Sequence, residues 1–513
     1  MTPVRSNVLL ITLDQWRHDA LGRAGNAALR TPHLDALARD GVLFSRHFSQ
    51  CAPCGPARAS LLGGMYQHNH GVMRNGSPWS ASFTNVALEM RKAGYEPALF
   101  GYTDTAPDPR GRDPNDPALR SYEGVMPAFE PQLVLPETPW RWIAHLQALG
   151  YPFAGDVADV YRPDGAAADG PHTAAPARFA AEHSISAFLT DELLRYIGLR
   201  RDQPWFAHAA YIRPHPPFVA SAPYHRMYAP HAMPAPRRAT SAAQQAAAHP
   251  LVRAYLEHTT TEHFFSGTRR LVASIPDDEL AQLRATYYGM VSEVDAQIGR
   301  LIAQLKAWGL YQRTLVVVTA DHGEMLGDHW MLGKDSPYEQ AYRVPLIVRD
   351  PNAAADATRG QADPRFTEAV DVMPTILQWA GVPVPRQCDG RSLLDVLHGN
   401  APADWRTEAH WEFDFRDGWE PNAQSWLGLP MDQCRLAALR SDDHLYVHFA
   451  ALPPMLFDLA SDPDCLDNVA GEPSAAAATL DHAQRLASWL IASGPRTLTG
   501  MFTSPSGLVS RSE

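Results

Sequence analysis

The chain has 513 residues, more than one hydrophobic core usually serves, so one large unit with a smaller companion is expected. Lysine and arginine total 44 against 56 acids; the formal charge of −12 argues against nucleic acid or an anionic membrane as partner, yet leaves room for a small anion held by local cations. Five sparse cysteines, a start that enters a strand-length apolar run, and no stretch long enough to span a bilayer predict a cytoplasmic protein without a membrane anchor.

Residues 8–12 read as a buried parallel strand with Asp14 and Gln15 at its carboxyl end. Residues 31–38 read as a capped helix, and 41–44 as a strand feeding Cys51-Ala52-Pro53-Cys54-Gly55-Pro56-Ala57-Arg58. Pro56 suits a first helical turn, residues 57–62 are helix-compatible, and Gly63-Gly64 stop the run. Residues 85–93 form the next predicted helix, and 97–100 the strand that delivers Gly101-Tyr102-Thr103-Asp104-Thr105. Residues 106–175, rich in Pro, Asp and Gly and poor in periodicity, read as a long excursion over the sheet edge or the site rim. Residues 205–212 return as a strand ending in Arg213-Pro214-His215-Pro216-Pro217-Phe218. Residues 225–275 carry Ala-rich helical segments at 240–249 and 251–258, and read as an inserted arm for self-association.

The best helix spans residues 277–308: Val291, Val294, Ile298, Leu301, Ile302 and Leu305 fall at helical spacing, and Gly309 closes it. Residues 314–319 are an apolar strand followed by Asp321 and His322, residues 344–348 another strand, and 366–380 a helix. From Gln387 the texture turns to short aromatic strands at 407–414, 434–439 and 444–449, then a helix at 475–492 and an extended tail from Gly494. Helices alternating with strands that carry charge at their carboxyl ends give the doubly wound α/β pattern. The reading places residues 1–386 in an α/β catalytic unit and 387–513 in an α+β subdomain and tail.

Cys54 stands at a helix N-terminus, where unpaired backbone N–H groups and the positive end of the dipole point, and Arg58, about one turn on, can return its guanidinium to the same spot. A reactive atom, a cation and a helix N-terminus make a site for a tetrahedral oxyanion. Asp14, Gln15, Asp321 and His322 come from two strand ends; two carboxylates, an amide oxygen and an imidazole can hold one divalent cation. That mixed O/N set suits Ca²⁺, Mg²⁺ or Mn²⁺, with Zn²⁺ and Fe²⁺ open. His215, stiffened between prolines at a strand end, can act as a general acid. In His322-Gly323-Glu324-Met325-Leu326-Gly327-Asp328-His329 the last two residues read as metal support or a lid, and Lys334 follows Gly333 in a loop. Cys51-x-x-Cys54 also reads as a redox or metal-binding pair, although neither a thioredoxin-like context nor a second CxxC accompanies it.

Cys54-Gly55-Pro56-Ala57-Arg58 followed by Leu61-Leu62-Gly63-Gly64 resembles the C-x-P-x-R signature of the sulfatase family, in which the cysteine is oxidised to formylglycine. The resemblance covers almost the whole chain, through the two metal strands and the later stretches Asp389-Gly390-Arg391-Ser392-Leu393 and Leu456-Phe457-Asp458-Leu459. It implies an alkaline-phosphatase-like fold: a mixed central sheet flanked by helices, plus a smaller C-terminal antiparallel-sheet subdomain. Ordinary sulfatases carry Gly-Lys where this chain has Gly101-Tyr102-Thr103-Asp104-Thr105. Without that lysine, esters of lower charge are favoured, and the pieces around Tyr102, His215 and Lys334 resemble the phosphonate monoester hydrolase branch.

The resemblance implies that Cys54, as formylglycine, is both nucleophile and metal ligand beside Asp14, Gln15, Asp321 and His322. It implies that Arg58 and Lys334 stabilise charge and that His215 or Lys334 protonates the leaving oxygen. Asn75, Tyr102, Asp104 and Thr105 line the substrate side, Asp104 standing where a hydroxyl residue is expected. The cation would be Mn²⁺ or Ca²⁺ before Zn²⁺, Fe²⁺ or Mg²⁺. The partners implied are a small ester, a formylglycine-generating or other sulfatase-maturing enzyme, and further copies of the chain in a dimer or tetramer. The expected activity is hydrolysis of phosphonate monoesters and phosphodiesters with sulfate esters as additional substrates. A dedicated arylsulfatase is the first alternative and a CxxC redox or metal-binding protein the second.

Overall fold

A computed structural model describes residues 6–153, 157–164, 173–267, 269–416, 422–499 and 501–510. Residues 1–5, parts of the 106–175 excursion and residues 500 and 511–513 of the tail therefore lie outside the described residues.

Among the described residues, nine strands occupy the first three-quarters of the chain: β1 (Asn7–Leu13), β2 (Val42–Phe48), β3 (Cys51–Ala52), β4 (Pro97–Gly101), β5 (Glu130–Val134), β6 (Phe206–Tyr211), β7 (Thr314–Ala320), β8 (Arg343–Arg349) and β9 (Ala362–Glu368). Eight of them, all but β3, form one sheet in the order β5-β4-β6-β1-β7-β8-β2-β9. β1 pairs in parallel with β6 and β7, β4 with β5 and β6, and β2 with β9, whereas β8 runs antiparallel to both β7 and β2. β1 is central and wholly buried because each of its faces meets a different core. Leu9, Ile11 and Leu13 pack with Val291, Val294 and Ile298 of the Asp277–Ala307 helix. Val8 and Leu10 face the other way, toward Leu61 and Leu62 of the Cys54–Gly63 helix and Met373 and Ile376 of the Val372–Trp379 helix. Parallel alignment brings the carboxyl ends of β1, β4, β6 and β7 to one edge of the sheet, and with them Asp14, Tyr102, His215 and Asp321.

The second sheet runs β13-β12-β11-β10-β3, with β10 (Ala409–Asp414), β11 (Arg435–Arg440), β12 (His444–Phe449) and β13 (Met455–Asp458) antiparallel in sequence. Its last member is β3, parallel to β10, with Glu412 opposite Cys51. The C-terminal sheet thus holds the backbone immediately before Cys54. The Ala476–Ala492 helix covers it, Leu486 packing on Leu439, Tyr446 and Leu456. No helix among the described residues is long and apolar enough to cross a membrane.

Several elements differ from the sequence reading. The excursion contains β5, whose side chains are mostly exposed or half-buried at the sheet edge, and the Trp140–Ala148 helix; an edge strand with little inward face leaves little periodicity. The Ile185–Gly198 helix, capped by the Ser184 hydroxyl accepting from Ala187 N at 3.2 Å, was not anticipated. Residues 366–368 are strand, not helix, because Phe366, Thr367 and Glu368 pair with Arg46, His47 and Phe48. The tail forms a hairpin of β14 (Met501–Ser504) and β15 (Gly507–Ser510). The 225–275 segment does not project as an arm: its Ala242–Ala247 and Pro250–His258 helices fold inward, and Leu251, Val252, Tyr255 and Leu256 pack among Met325, Met331, Tyr338 and Trp411.

Candidate active site

Cys54 is the first residue of a ten-residue helix whose side chains are all buried. Its Sγ lies 3.2 Å from His322 Nε2 and 3.6 Å from Lys334 Nζ. Asn75 fixes the helix start, its Oδ1 accepting from Gly55 N at 2.8 Å, and a Cβ on Gly55 would come within 2.9 Å of that oxygen, so a side chain there would displace Asn75. Cys51 faces elsewhere, 3.4 Å from the Ser60 hydroxyl. All five cysteines are free and buried, and burial pushes the thiols of Cys51 and Cys54 well above their ordinary value. Two buried thiols with raised pKa values and separate partners lack the exposure and the lowered pKa of a redox dithiol.

One turn into the helix, Arg58 is fully enclosed and spans both carboxylates. Its Nη2 donates to Asp14 Oδ2 at 3.1 Å, its Nε to Asp321 Oδ2 at 3.0 Å and its Nη1 to the Tyr102 carbonyl at 2.9 Å. The guanidinium lies 3.9 Å from the centroid of the Tyr102 ring, and the Tyr102 hydroxyl donates to Asp14 Oδ2. Asp321 Oδ1 accepts from the backbone N–H groups of Gln15 and His322, at 3.2 and 2.9 Å. Asp14 Oδ1, buried, has no hydrogen-bond partner. Ligand atoms of Asp14, Cys54, Asp321 and His322 all lie within 4.8 Å of one another. An orphaned carboxylate oxygen, a second carboxylate and an imidazole around one point fit a divalent cation. Burial pushes the Asp14 carboxyl up, but the positive charge around it, Arg58 and Lys334 included, outweighs burial and holds the group below the ordinary carboxylate range.

On the opposite side of Cys54, Lys334 Nζ donates to Gln15 Oε1 at 3.0 Å and meets His215 Nε2 at 3.0 Å. His215 Nδ1 lies 2.7 Å from the Pro216 carbonyl, which only accepts, so Nδ1 carries the proton and the Nε2 lone pair faces the ammonium. Desolvation and the Lys334 charge push His215 down to about 3, keeping the imidazole neutral. Burial opposes the charge on Lys334, but Cys54 and Asp14 outweigh it and raise its pKa.

Of the residues expected on the substrate side, Asn75 and Tyr102 contact the helix start and the Asp14–Arg58 pair. Thr105 turns into its own loop, its hydroxyl donating to Thr103 O at 3.3 Å. Asp104 is buried in a left-handed conformation, φ 47°, with neither carboxylate oxygen hydrogen-bonded; burial pushes its carboxyl well up. A cleft of about 260 Å³ opens beside Lys334 and His215, walled by Tyr255, Phe264, Val272 and Trp330. The sequence reading missed this wall, because apolar residues in short helices and loops look like any core. It also left Glu324 without a role, although the residue stands two places beyond His322.

A family model described as Sulfatase matches residues 6–382, and one described as N-sulphoglucosamine sulphohydrolase, C-terminal, matches residues 327–490. The chain is 43% identical to the multifunctional alkaline phosphatase superfamily protein PehA of Trinickia caryophylli, over 99% of each chain. Its fold matches the phosphonate monoester hydrolase of Agrobacterium radiobacter with a TM-score of 0.96 and 44% identity, covering 99% of this chain and 100% of that one. An arylsulfatase of Clostridium perfringens is 27% identical over 91% of this chain and 90% of its own length.

Proposed function

Because the chain belongs to the sulfatase family of the alkaline phosphatase superfamily, we propose that it is a hydrolase of phosphonate monoesters and phosphodiesters, with sulfate esters as additional substrates. The observation that carries this reading is the charge at Cys54. Arg58 is committed to Asp14, Asp321 and the Tyr102 carbonyl, which leaves Lys334 as the ammonium facing the thiol among the described residues. One such cation suits an ester group bearing a single negative charge better than a dianion.

Asp14, Asp321 and His322, with the Gln15 amide oxygen, would hold a divalent cation, Mn²⁺ or Ca²⁺ before the alternatives, and Cys54 matured to formylglycine would supply an aldehyde hydrate as nucleophile beside that Lewis acid. Arg58 keeps the two carboxylates apart and aimed. Lys334 neutralises the non-bridging oxygens, and its ammonium gives a proton to the leaving oxygen as that oxygen takes the electron pair of the breaking bond. The neutral His215 orients the ammonium through its Nε2 lone pair. The cleft beside them accepts an apolar leaving group. Maturation by a formylglycine-generating enzyme is part of the reading. So is self-association, supported by the exposed Met501, Phe502 and Leu508 of the tail hairpin and testable by light scattering.

The deciding experiment is a kcat/KM panel across an aryl phosphonate monoester, a phosphodiester, a sulfate monoester and a phosphate monoester, on protein whose Cys54 conversion is verified by peptide mass spectrometry. Preference for the first two is expected. A strong preference for the sulfate would establish a dedicated arylsulfatase instead.

A further inference from the structure

Glu324 is fully enclosed, and the hydrogen bonds of its carboxylate come from amide N–H groups. A buried carboxylate without a cation is costly unless its hydrogen bonds are complete. Here they are used in a particular way. Oε1 accepts from Leu326 N at 2.9 Å and from Gly333 N at 2.6 Å, and Oε2 accepts from the Gln15 side-chain amide. The loop between those two N–H groups holds Leu326, Gly327, His329, Trp330 and Gly333 at positive φ of 50, 91, 52, 63 and 86°. Three of these positions, Leu326, His329 and Trp330, carry side chains and are strained, so the loop needs an outside brace to keep one shape. Lys334 is the residue that follows.

We propose that Glu324 is a positioning residue for the leaving-group side of the site: it sets which end of the Gln15 amide faces the cleft and pins the turn that carries Lys334. The chain of contacts is Glu324 to Gln15 Nε2, Gln15 Oε1 to Lys334 Nζ at 3.0 Å, and Lys334 Nζ to His215 Nε2 at 3.0 Å. Because a carboxylate only accepts, Gln15 must turn its NH₂ toward Glu324 and its carbonyl oxygen toward Lys334 and the candidate cation site. With an amide at 324, two NH₂ groups would meet, and Gln15 would relieve the clash by turning its own NH₂ onto the ammonium. The inference rests on the ester-hydrolase reading, with Lys334 as leaving-group acid.

The test compares phenylphosphonate monoesters carrying p-nitrophenyl and unsubstituted phenyl leaving groups, the second needing protonation more. Glu324→Gln is expected to lose about 10- to 100-fold in kcat/KM on the phenyl ester and only a few-fold on the p-nitrophenyl ester. Bound metal, measured by elemental analysis, should fall as Gln15 turns its oxygen away from the cation site, so the two esters are compared at saturating Mn²⁺. The swapped pair Glu324→Gln with Gln15→Glu restores an acceptor toward Lys334 and should return the wild-type leaving-group dependence. Equal losses on both esters, or no loss, would overturn the proposal as would a swapped pair no better than the single variant. Where Glu324→Gln fails to fold, the swapped pair against wild type decides alone: matching leaving-group dependence supports the proposal, and a steeper one overturns it. Failure of the ester-hydrolase reading shows separately, as wild-type protein inactive on both esters, and takes this inference with it.

Discussion

Two buried ionic clusters lie at strand ends of the same sheet, and each sets two carboxylates around one arginine. In the first, Glu368 and Asp371 meet Arg406. Every carboxylate oxygen there is bonded. Glu368 Oε1 accepts from His410 N at 2.9 Å and Oε2 from the Tyr66 hydroxyl at 2.7 Å. Asp371 Oδ1 accepts from Arg391 N at 2.8 Å and Oδ2 from Glu368 N at 2.8 Å. In the second, Asp14 and Asp321 meet Arg58, yet Asp14 Oδ1 has no partner and a thiol and an imidazole face the gap. Burial and charge are alike in the two; what separates a structural clamp from a site is unmet bonding capacity beside reactive atoms.

The sharpest way to break this comparison is to remove the reactive atom. Cys54→Ala should lower turnover by about 10⁴-fold or more while melting near the wild-type temperature and binding the cation more weakly but measurably. Full activity in that variant would refute the nucleophile assignment. Arg58→Lys keeps a charge but loses the fork that reaches both carboxylates, and should cost about 10²- to 10³-fold in kcat. Its stability should be partly restored by Mn²⁺ and lost again on chelation, because a cation in the gap offsets the two carboxylates. Denaturant titrations with and without metal measure this.

The two clusters were unequally legible in the sequence. Asp14 and Asp321 each follow an uninterrupted apolar run, so their place at the ends of central strands could be read directly. The Cys54 helix announced itself through Pro56 and the Gly63-Gly64 stop. Glu368 was read into a helix, since its strand character comes from pairing with Phe48, more than 300 residues away. Arg406 sits in a loop whose partners no local pattern names. β5 and the cleft wall were hidden for the same reason: one is half-exposed at an edge, and the other is apolar surface that only the folded 250–272 segment brings over Lys334. Asp104 was legible as an oddity but not as a buried carboxyl without a hydrogen bond.

The complementary substitution, Arg406→Leu, should leave kcat within a few-fold but cost about 3–5 kcal/mol of stability, since two buried carboxylates lose their cation. No divalent ion should restore it, because the oxygens of Glu368 and Asp371 are already directed at backbone and side-chain donors. Rescue by Mn²⁺ in chemical denaturation would mean that this cluster, too, is open to a cation, and the contrast with the Asp14 cluster would fall.

The smallest effect is the most specific to the clamp. His410 stacks on Trp489 with ring centroids 4.3 Å apart, and its ring faces Glu368 on one side and Glu408 on the other, at 3.3 Å each. Burial pulls its pKa down, but the hydrogen bonds and charges of Glu368 and Glu408 outweigh it and leave the group above its ordinary value. The folded protein therefore holds a proton that the unfolded chain releases near pH 6.5. That contribution to stability is fully present below this pH and is lost as pH rises through the folded value, with a slope of at most about 1.4 kcal/mol per pH unit. Arg406 and Arg485 neutralise the outer oxygens of Glu368 and Glu408 and do not titrate in this range; His68, which burial pulls down but Glu412 raises further, adds to the same fall, so His410 carries part of the change. His410→Gln should flatten the fall in unfolding free energy between pH 6.5 and 9 without moving the pH dependence of kcat. If the variant keeps the wild-type slope, the proton belongs to another group and the clamp is neutral at His410.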